Sequence, residues 1–190
     1  MNDINALLTP RAALELADKE ALVLEWYLDS ENVGTWALGV TDASGHKVLR
    51  YKDNPSTIER ALEVSVWLMR TKYGPEVIDA FGAYRLSEAE FAAALSFHYN
   101  TGRIGSTDWV DLVKEGAMVQ ARRFLETHYL NGGDLKSRRK DEAALFFGRV
   151  WKSDGHVTIC PVNKPSYKPS FARARRVDLR DDMAKAFAAR

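Results

Sequence analysis

One cysteine, Cys160, is the whole thiol content of this 190-residue chain, so no internal disulfide can form and the sequence is compatible with folding in a reducing cytoplasm. Apolar runs are short, and no stretch approaches the length that spans a bilayer. The opening residues, Met1-Asn-Asp-Ile-Asn-Ala-Leu-Leu-Thr-Pro10, have neither a cationic start nor an apolar segment long enough for a secretory signal. The phosphate-binding pattern GxxxxGK[ST] and the nucleophile elbow GxSxG are both missing, which removes support for nucleotide enzymes and serine hydrolases. HExxH and CxxC are missing too. His46, His98, His128, His156 and Cys160 are therefore zinc-ligand types without zinc-ligand spacing. No internal repeat recurs along the chain.

What is present has a soluble globular balance, 46% hydrophobic and 28% charged residues, in a chain long enough to bury a core without staples. The formal net charge of +1 conceals an asymmetry. From Lys152 onward nine Lys or Arg residues face four Asp, a balance of +5 that leaves the first 151 residues at −4. A basic stretch of this kind favours anionic partners in general. We expect residues 1–151 to form one domain and residues 152–190 a basic C-terminal extension.

Thr9-Pro10 opens a helix, with a hydroxyl to cap it and a proline where no N–H is missed, predicted to run to about Glu20. Leu22–Leu28 and Thr35–Val40 are bulky and β-favouring, parted by a turn at Asn32-Val33-Gly34. A second turn at Asp42-Ala-Ser-Gly45 leads to His46–Tyr51, completing a small antiparallel sheet in a small lobe over about residues 10–55. Ser56-Thr-Ile-Glu59 is a capping box, and Ile58, Leu62, Val66, Met69 and Tyr73 recur at helical spacing. That predicts one long helix over about 56–73, stopped by Gly74-Pro75. Ser87-Glu-Ala-Glu90 repeats the capping box ahead of a helix ended by Asn100-Thr-Gly102. Helices over about 107–114, 117–129 and 135–147 complete a helical lobe over about 75–151. In the extension, His156–Val162 reads as a short strand, Pro161, Pro165 and Pro169 argue against regular structure, and residues 171–190 read as a basic amphipathic helix.

Within this layout Glu20, Asp29 and Thr35 stand nine and six residues apart, from a helix end into a hairpin. Chance would supply such a triplet in only about a few per cent of chains this long. The segment Glu20 to Thr35 resembles the catalytic segment of the phage-type lysozymes, glycoside hydrolase family 24. Leu95-Ser-Phe-His-Tyr-Asn100-Thr-Gly102 is similar to a second family segment, and Ser137-Arg138-Arg139-Lys-Asp-Glu142-Ala-Ala-Leu-Phe-Phe-Gly148 to a third, in the family's order. Together they cover roughly residues 10–151. One departure stands out: the family often continues from its Thr with Gly, an apolar residue, Gly and His, whereas this chain reads Thr35-Trp-Ala-Leu-Gly39-Val40. Val40 takes the histidine position, and His46 inherits no role from it.

The resemblance implies an α+β, two-lobed lysozyme-like fold and hydrolysis of the β-1,4 bond between N-acetylmuramic acid and N-acetylglucosamine in peptidoglycan, without a cofactor. Glycoside hydrolysis needs a proton donor for the leaving oxygen and an anion on the other side, and two carboxyl groups divide that labour when their settings differ. Four apolar residues follow Glu20, which fits a general acid. Ser30, Glu31 and Asn32 surround Asp29 with polar groups, which fits a general base or electrostatic stabiliser. The resemblance gives Thr35 the role of holding the attacking water. A straight strand would part Glu20 and Asp29 by about 30 Å, about three times what an inverting pair requires. The hairpin must therefore fold Asp29 back, and inversion is the expected outcome.

Glu25 and Glu31 are rival acids that pattern alone does not exclude. Tyr27 could pack beneath the site and Asn100 could hold a loop at its rim. Arg138 and Arg139 could either contact carboxylates of the glycan's peptide or brace the domain. A lytic transglycosylase, a zinc-dependent wall amidase and a non-catalytic wall-binding protein are the alternative functions. As partners we expect peptidoglycan, anionic envelope surfaces through the basic extension, and a holin-type membrane-disrupting protein for release from the host cytoplasm; nucleic acid is not expected.

Overall fold

The computed structural model describes residues 2–189, and the chain divides into two compact units. The helices are α1 (Ile4–Leu7), α2 (Pro10–Lys19), α3 (Ile58–Leu68), α4 (Gly74–Phe81), α5 (Glu88–Thr101), α6 (Asp108–Lys114), α7 (Met118–Thr127), α8 (Lys136–Gly148) and α9 (Arg180–Ala188). The strands are β1 (Val23–Leu28), β2 (Gly34–Ala37), β3 (Val40–Thr41), β4 (His156–Ile159), β5 (Val162–Asn163), β6 (Lys168–Pro169) and β7 (Arg175–Asp178). One unit takes residues up to Leu16 together with Met69–Lys152; the other takes Ala17–Leu68 and everything from Ser153 onward.

The first unit is helical and built around α5. Ser87 caps it, its side chain accepting from the Glu90 N–H while Glu90 reaches back, as the capping box predicts. Gly102, with φ 65°, ends it in the left-handed conformation that costs glycine least. Residues 91–98 of α5 are all buried, so this helix shows no polar face along that length. It packs on α8, and Trp109 of α6 meets Phe97, Phe146 and Phe81 edge-on at centroid distances of 5.5, 5.1 and 5.7 Å. All four rings are at most 3% exposed, and such edge-to-face contacts add about 0.5–1.5 kcal/mol each beyond area burial.

The second unit carries the small sheet, in the order β1-β2-β3 with both pairs antiparallel. Leu28 pairs with Gly34 and Tyr27 with Thr35, and an irregularity then shifts the register before Val23 pairs with Ala37. Gly34 is required where it stands, because a Cβ there would lie 2.6 Å from Trp26 Nε1. Trp36 is fully buried, stacks on Tyr51 at 3.8 Å, and donates its indole N–H to the Leu24 carbonyl at 3.1 Å.

Four expectations meet a different outcome. His46–Tyr51 is not a strand: the Asp42 carboxylate accepts the Val48 N–H at 2.8 Å and folds the segment into single helical turns at Asp42–Ser44 and Leu49–Tyr51. Gly74-Pro75 does not stop the long helix, because the chain widens into a π-helical segment over Met69–Tyr73 and the proline falls in the first turn of α4, where its missing N–H has no partner to lose.

The extension, finally, is not set apart. Backbone bonds from Leu22 N–H to the Thr158 carbonyl (2.8 Å) and from Cys160 N–H to the Leu22 carbonyl (3.0 Å) join it to the chain just ahead of β1. β4 pairs with β7, the β5–β6 hairpin lies against β1, and α9 packs on α3 with Leu179 and Met183 fully buried. Residues 171–178, expected as helix, form a short turn and β7, because β4 supplies them with a strand partner. Among the described residues, no helix is long and apolar enough to cross a membrane.

Candidate active site

Glu20, Asp29, Thr35 and Tyr27 all lie in the second unit. Glu20 is the first residue past α2; its N–H closes a last turn on the Ala17 carbonyl at 3.2 Å, and its side chain is half-buried. The chain then becomes β1, whose run of bulky residues ends at Leu28. Asp29 begins the turn into β2. One carboxylate oxygen, Oδ1, accepts the backbone N–H groups of Glu31 at 2.9 Å and Val33 at 2.8 Å, the side-chain-to-backbone pattern for which Asp favours turns. The other, Oδ2, lies 3.4 Å from the Thr35 hydroxyl. Thr35 Oγ1 donates to the Val33 carbonyl at the shorter distance of 3.0 Å, and Thr35 itself is 2% exposed.

Tyr27 stands directly opposite Thr35 in the β1–β2 register, and Thr41 of β3 opposite Thr35 on the other side, so the three share one face. Burial first, then the negative charges of Glu20 and Asp29 and of Cys160, push the Tyr27 phenol well above its ordinary range. It therefore remains a neutral donor, and it lies within electrostatic reach of both carboxylates. Asp29 and Thr35 are thus brought together at the turn, with Tyr27 paired across from Thr35.

The rivals have other partners. Glu25 accepts the Asp53 N–H at 3.0 Å and pairs with Lys164 at 2.9 Å, while Glu31 sits exposed on the turn that Asp29 organises. Asn100, Arg138 and Arg139 belong to the first unit, and the Asp29 turn to the second. Arg139 is fully buried, donating to Asn100 Oδ1 at 2.6 Å and pairing with Glu142 at 3.1 Å. Arg138 pairs with Glu142 at 3.1 Å and donates to the Ser96 carbonyl at 3.0 Å. Of the two roles open to the arginines, bracing is the one these contacts describe.

A residue without any sequence signal also enters the site. Lys168, at the start of β6, donates to the Asp29 carbonyl at 2.6 Å and to Asn32 Oδ1 at 2.9 Å. A lysine 139 positions away could be linked to Asp29 only through the fold. Among the described residues, no three His, Cys, Asp or Glu side chains converge in a way that could hold a metal ion.

The phage lysozyme family matches residues 17–142, which takes in Glu20 through Thr35 and reaches Glu142. The chain belongs to the phage lysozyme family. As a member it is a peptidoglycan-degrading lysozyme, a muramidase by class. Solved structures agree in fold. The endolysin from Escherichia coli O157:H7 phage FAHEc1 is 21% identical with a TM-score of 0.57, over 77% of this chain and 96% of its own. A variant of phage P22 lysozyme is 19% identical with a TM-score of 0.61, over 74% and 98%. The muramidase domain of SpmX from Asticaccaulis excentricus is 23% identical with a TM-score of 0.53, over 72% and 95%. At these identities the likeness shows a shared lysozyme-like α+β fold. No curated protein sequence matches the chain.

Proposed function

We propose that this lysozyme cleaves the β-1,4 bond between N-acetylmuramic acid and N-acetylglucosamine with inversion at the anomeric carbon, Glu20 serving as general acid and Asp29 as general base. The observation that carries the proposal is the asymmetric use of the Asp29 carboxylate: two amides hold Oδ1, while Oδ2 is aimed at the Thr35 hydroxyl 3.4 Å away. The single proton of Thr35 goes to the Val33 carbonyl, which leaves its oxygen lone pairs to accept. A water that donates to both Thr35 Oγ1 and Asp29 Oδ2 turns its own lone pair outward, toward an anomeric carbon. As the bond to the leaving oxygen breaks, Glu20 gives that oxygen a proton. The water oxygen bonds to the anomeric carbon and its proton passes to Asp29. Tyr27, neutral and paired opposite Thr35, is a further hydrogen-bond donor on that face.

The biological reading follows: lysis of bacterial cells, with the protein held in the host cytoplasm until a holin-type partner opens the membrane. Contact with anionic envelope surfaces through the C-terminal basic residues is part of the same proposal. Arg176 pairs with Asp18, Arg180 with Asp178 and Lys164 with Glu25, so that contact falls on exposed groups such as Arg175. Mass analysis of digested peptidoglycan tests the reaction class. Reducing muramic acid ends formed by addition of water are expected; anhydro ends would identify a transglycosylase, and free stem peptides an amidase.

A further inference from the structure

The β5–β6 hairpin lies outside the stretch that matches the phage lysozyme family, yet it reaches the Asp29 turn. Its anchoring is extensive. The Leu28 N–H at the end of β1 donates to the Tyr167 carbonyl at 2.8 Å, and the Tyr167 ring meets Trp26 edge-on at 5.4 Å. The Tyr167 hydroxyl donates to Asp53 at 2.8 Å, and Lys164 bridges Asp53 and Glu25. Held at these points, the hairpin delivers the next residue, Lys168, to the inside of the turn. There the ammonium clasps both ends of the bend, the Asp29 carbonyl at one side and the Asn32 side chain at the other. Asn32 has φ 61°, a left-handed conformation that Asn tolerates better than most residues but that is not its lowest-energy state.

We propose that Lys168 is a positioning residue for Asp29. Its two charge-assisted hydrogen bonds fix the turn from the carbonyl side, while the Asp29 carboxylate fixes it from the amide side, so that Oδ2 keeps its aim at the Thr35 hydroxyl. The inference rests on the reading of Asp29 as the general base. The turn is closed by backbone bonds from the Asp29 N–H to the Val33 carbonyl and from the Asn32 N–H to the Asp29 carbonyl, each 3.1 Å, and Lys168 adds to these a tie to the β5–β6 hairpin.

Steady-state kinetics on soluble peptidoglycan glycan fragments test this, using Lys168→Met, Lys168→Arg, Asn32→Gly and Asp29→Asn beside the wild type. Lys168→Met is expected to lower kcat about tenfold or more with KM within about twofold, since misplacing a reacting group is costly while binding is untouched. The thermal midpoint should move by no more than about 2 °C. Lys168→Arg should recover kcat to within about threefold, and Asn32→Gly, which removes one acceptor and keeps the backbone conformation accessible, should lose about threefold. A wild-type kcat in Lys168→Met, a rise in KM at constant kcat, or no recovery in Lys168→Arg would each overturn the proposal. Should Lys168→Met fail to fold, an unchanged kcat in Asn32→Gly overturns it instead. If Asp29→Asn keeps full activity, the reading of Asp29 fails and takes this inference with it; if Asp29→Asn is inactive while Lys168→Met is fully active, only the inference fails.

Discussion

Asp29 and Glu142 are carboxylates that each meet a hydroxyl, of Thr35 and Ser96 respectively, and differ in everything else that surrounds them: backbone amides hold Asp29, and two guanidinium groups face Glu142. Glu142 is 2% exposed. It accepts from the Ser96 hydroxyl at 2.7 Å and pairs with Arg138 and Arg139 within α5 and α8, while burial, the strongest influence on it, holds its carboxyl above the ordinary range. Asp29 sits half-buried on a turn, with one oxygen engaged by amides and the other facing a hydroxyl at a distance too long for a strong bond. A charge whose partners all point inward holds a fold together. A carboxylate with one oxygen loosely partnered is the kind that the proposed general base requires.

Substitutions sharpen or break that contrast. Glu20→Gln should lower lysis of permeabilised cells by about 10³-fold, in the range that a lost general acid costs. Its thermal midpoint should stay within about 2 °C of the wild type; turbidity and melting curves read the two quantities. Glu142→Leu should do the reverse. It leaves the fully buried Arg139 uncompensated and is expected to cost about 3–5 kcal/mol of stability in denaturant titrations, with the remaining folded protein active. Met183→Ala, in α9, should cost about 2–5 kcal/mol by opening a cavity against α3. A loss below about 0.5 kcal/mol, the size of an ordinary surface change, would return α9 to the status of an appendage. Smallest is Thr35→Val, which keeps the shape and removes the hydroxyl; about a tenfold fall in kcat is expected, and an unchanged rate would separate Thr35 from the attacking water.

The same contrast explains what could be read from the sequence. Helices announced by local chemistry appear where they are expected: the Ser87 capping box starts α5 and Gly102 ends it. The contact between Asp29 and Thr35 is legible because both residues lie in one hairpin, six positions apart. Illegible parts depend on distant partners. Residues 175–178 are strand only because β4 lies beside them, and Leu22 meets Thr158 and Cys160 through bonds that span more than a hundred residues. Gly74-Pro75 has the composition of a helix stop, but a π-helical segment ahead of it shifts the proline into a permitted position. Lys168 is one more exposed-type lysine in a basic stretch, and only the hairpin's path makes it a neighbour of Asp29. The contacts of Arg138 and Arg139 with Glu142, Ser96 and Asn100 likewise join residues that the sequence keeps far apart or leaves unmarked.

The central claim is that Glu20 and Asp29 act on opposite sides of one glycosidic bond, with water between Asp29 and the sugar. Proton NMR of a soluble glycan fragment, followed from the first turnovers, reads this directly through the configuration of the new reducing end. Direct attack by water on a β-linked sugar predicts that the α-anomer appears first and mutarotates afterwards. Initial release of the β-anomer would mean a covalent glycosyl-enzyme and would contradict the account.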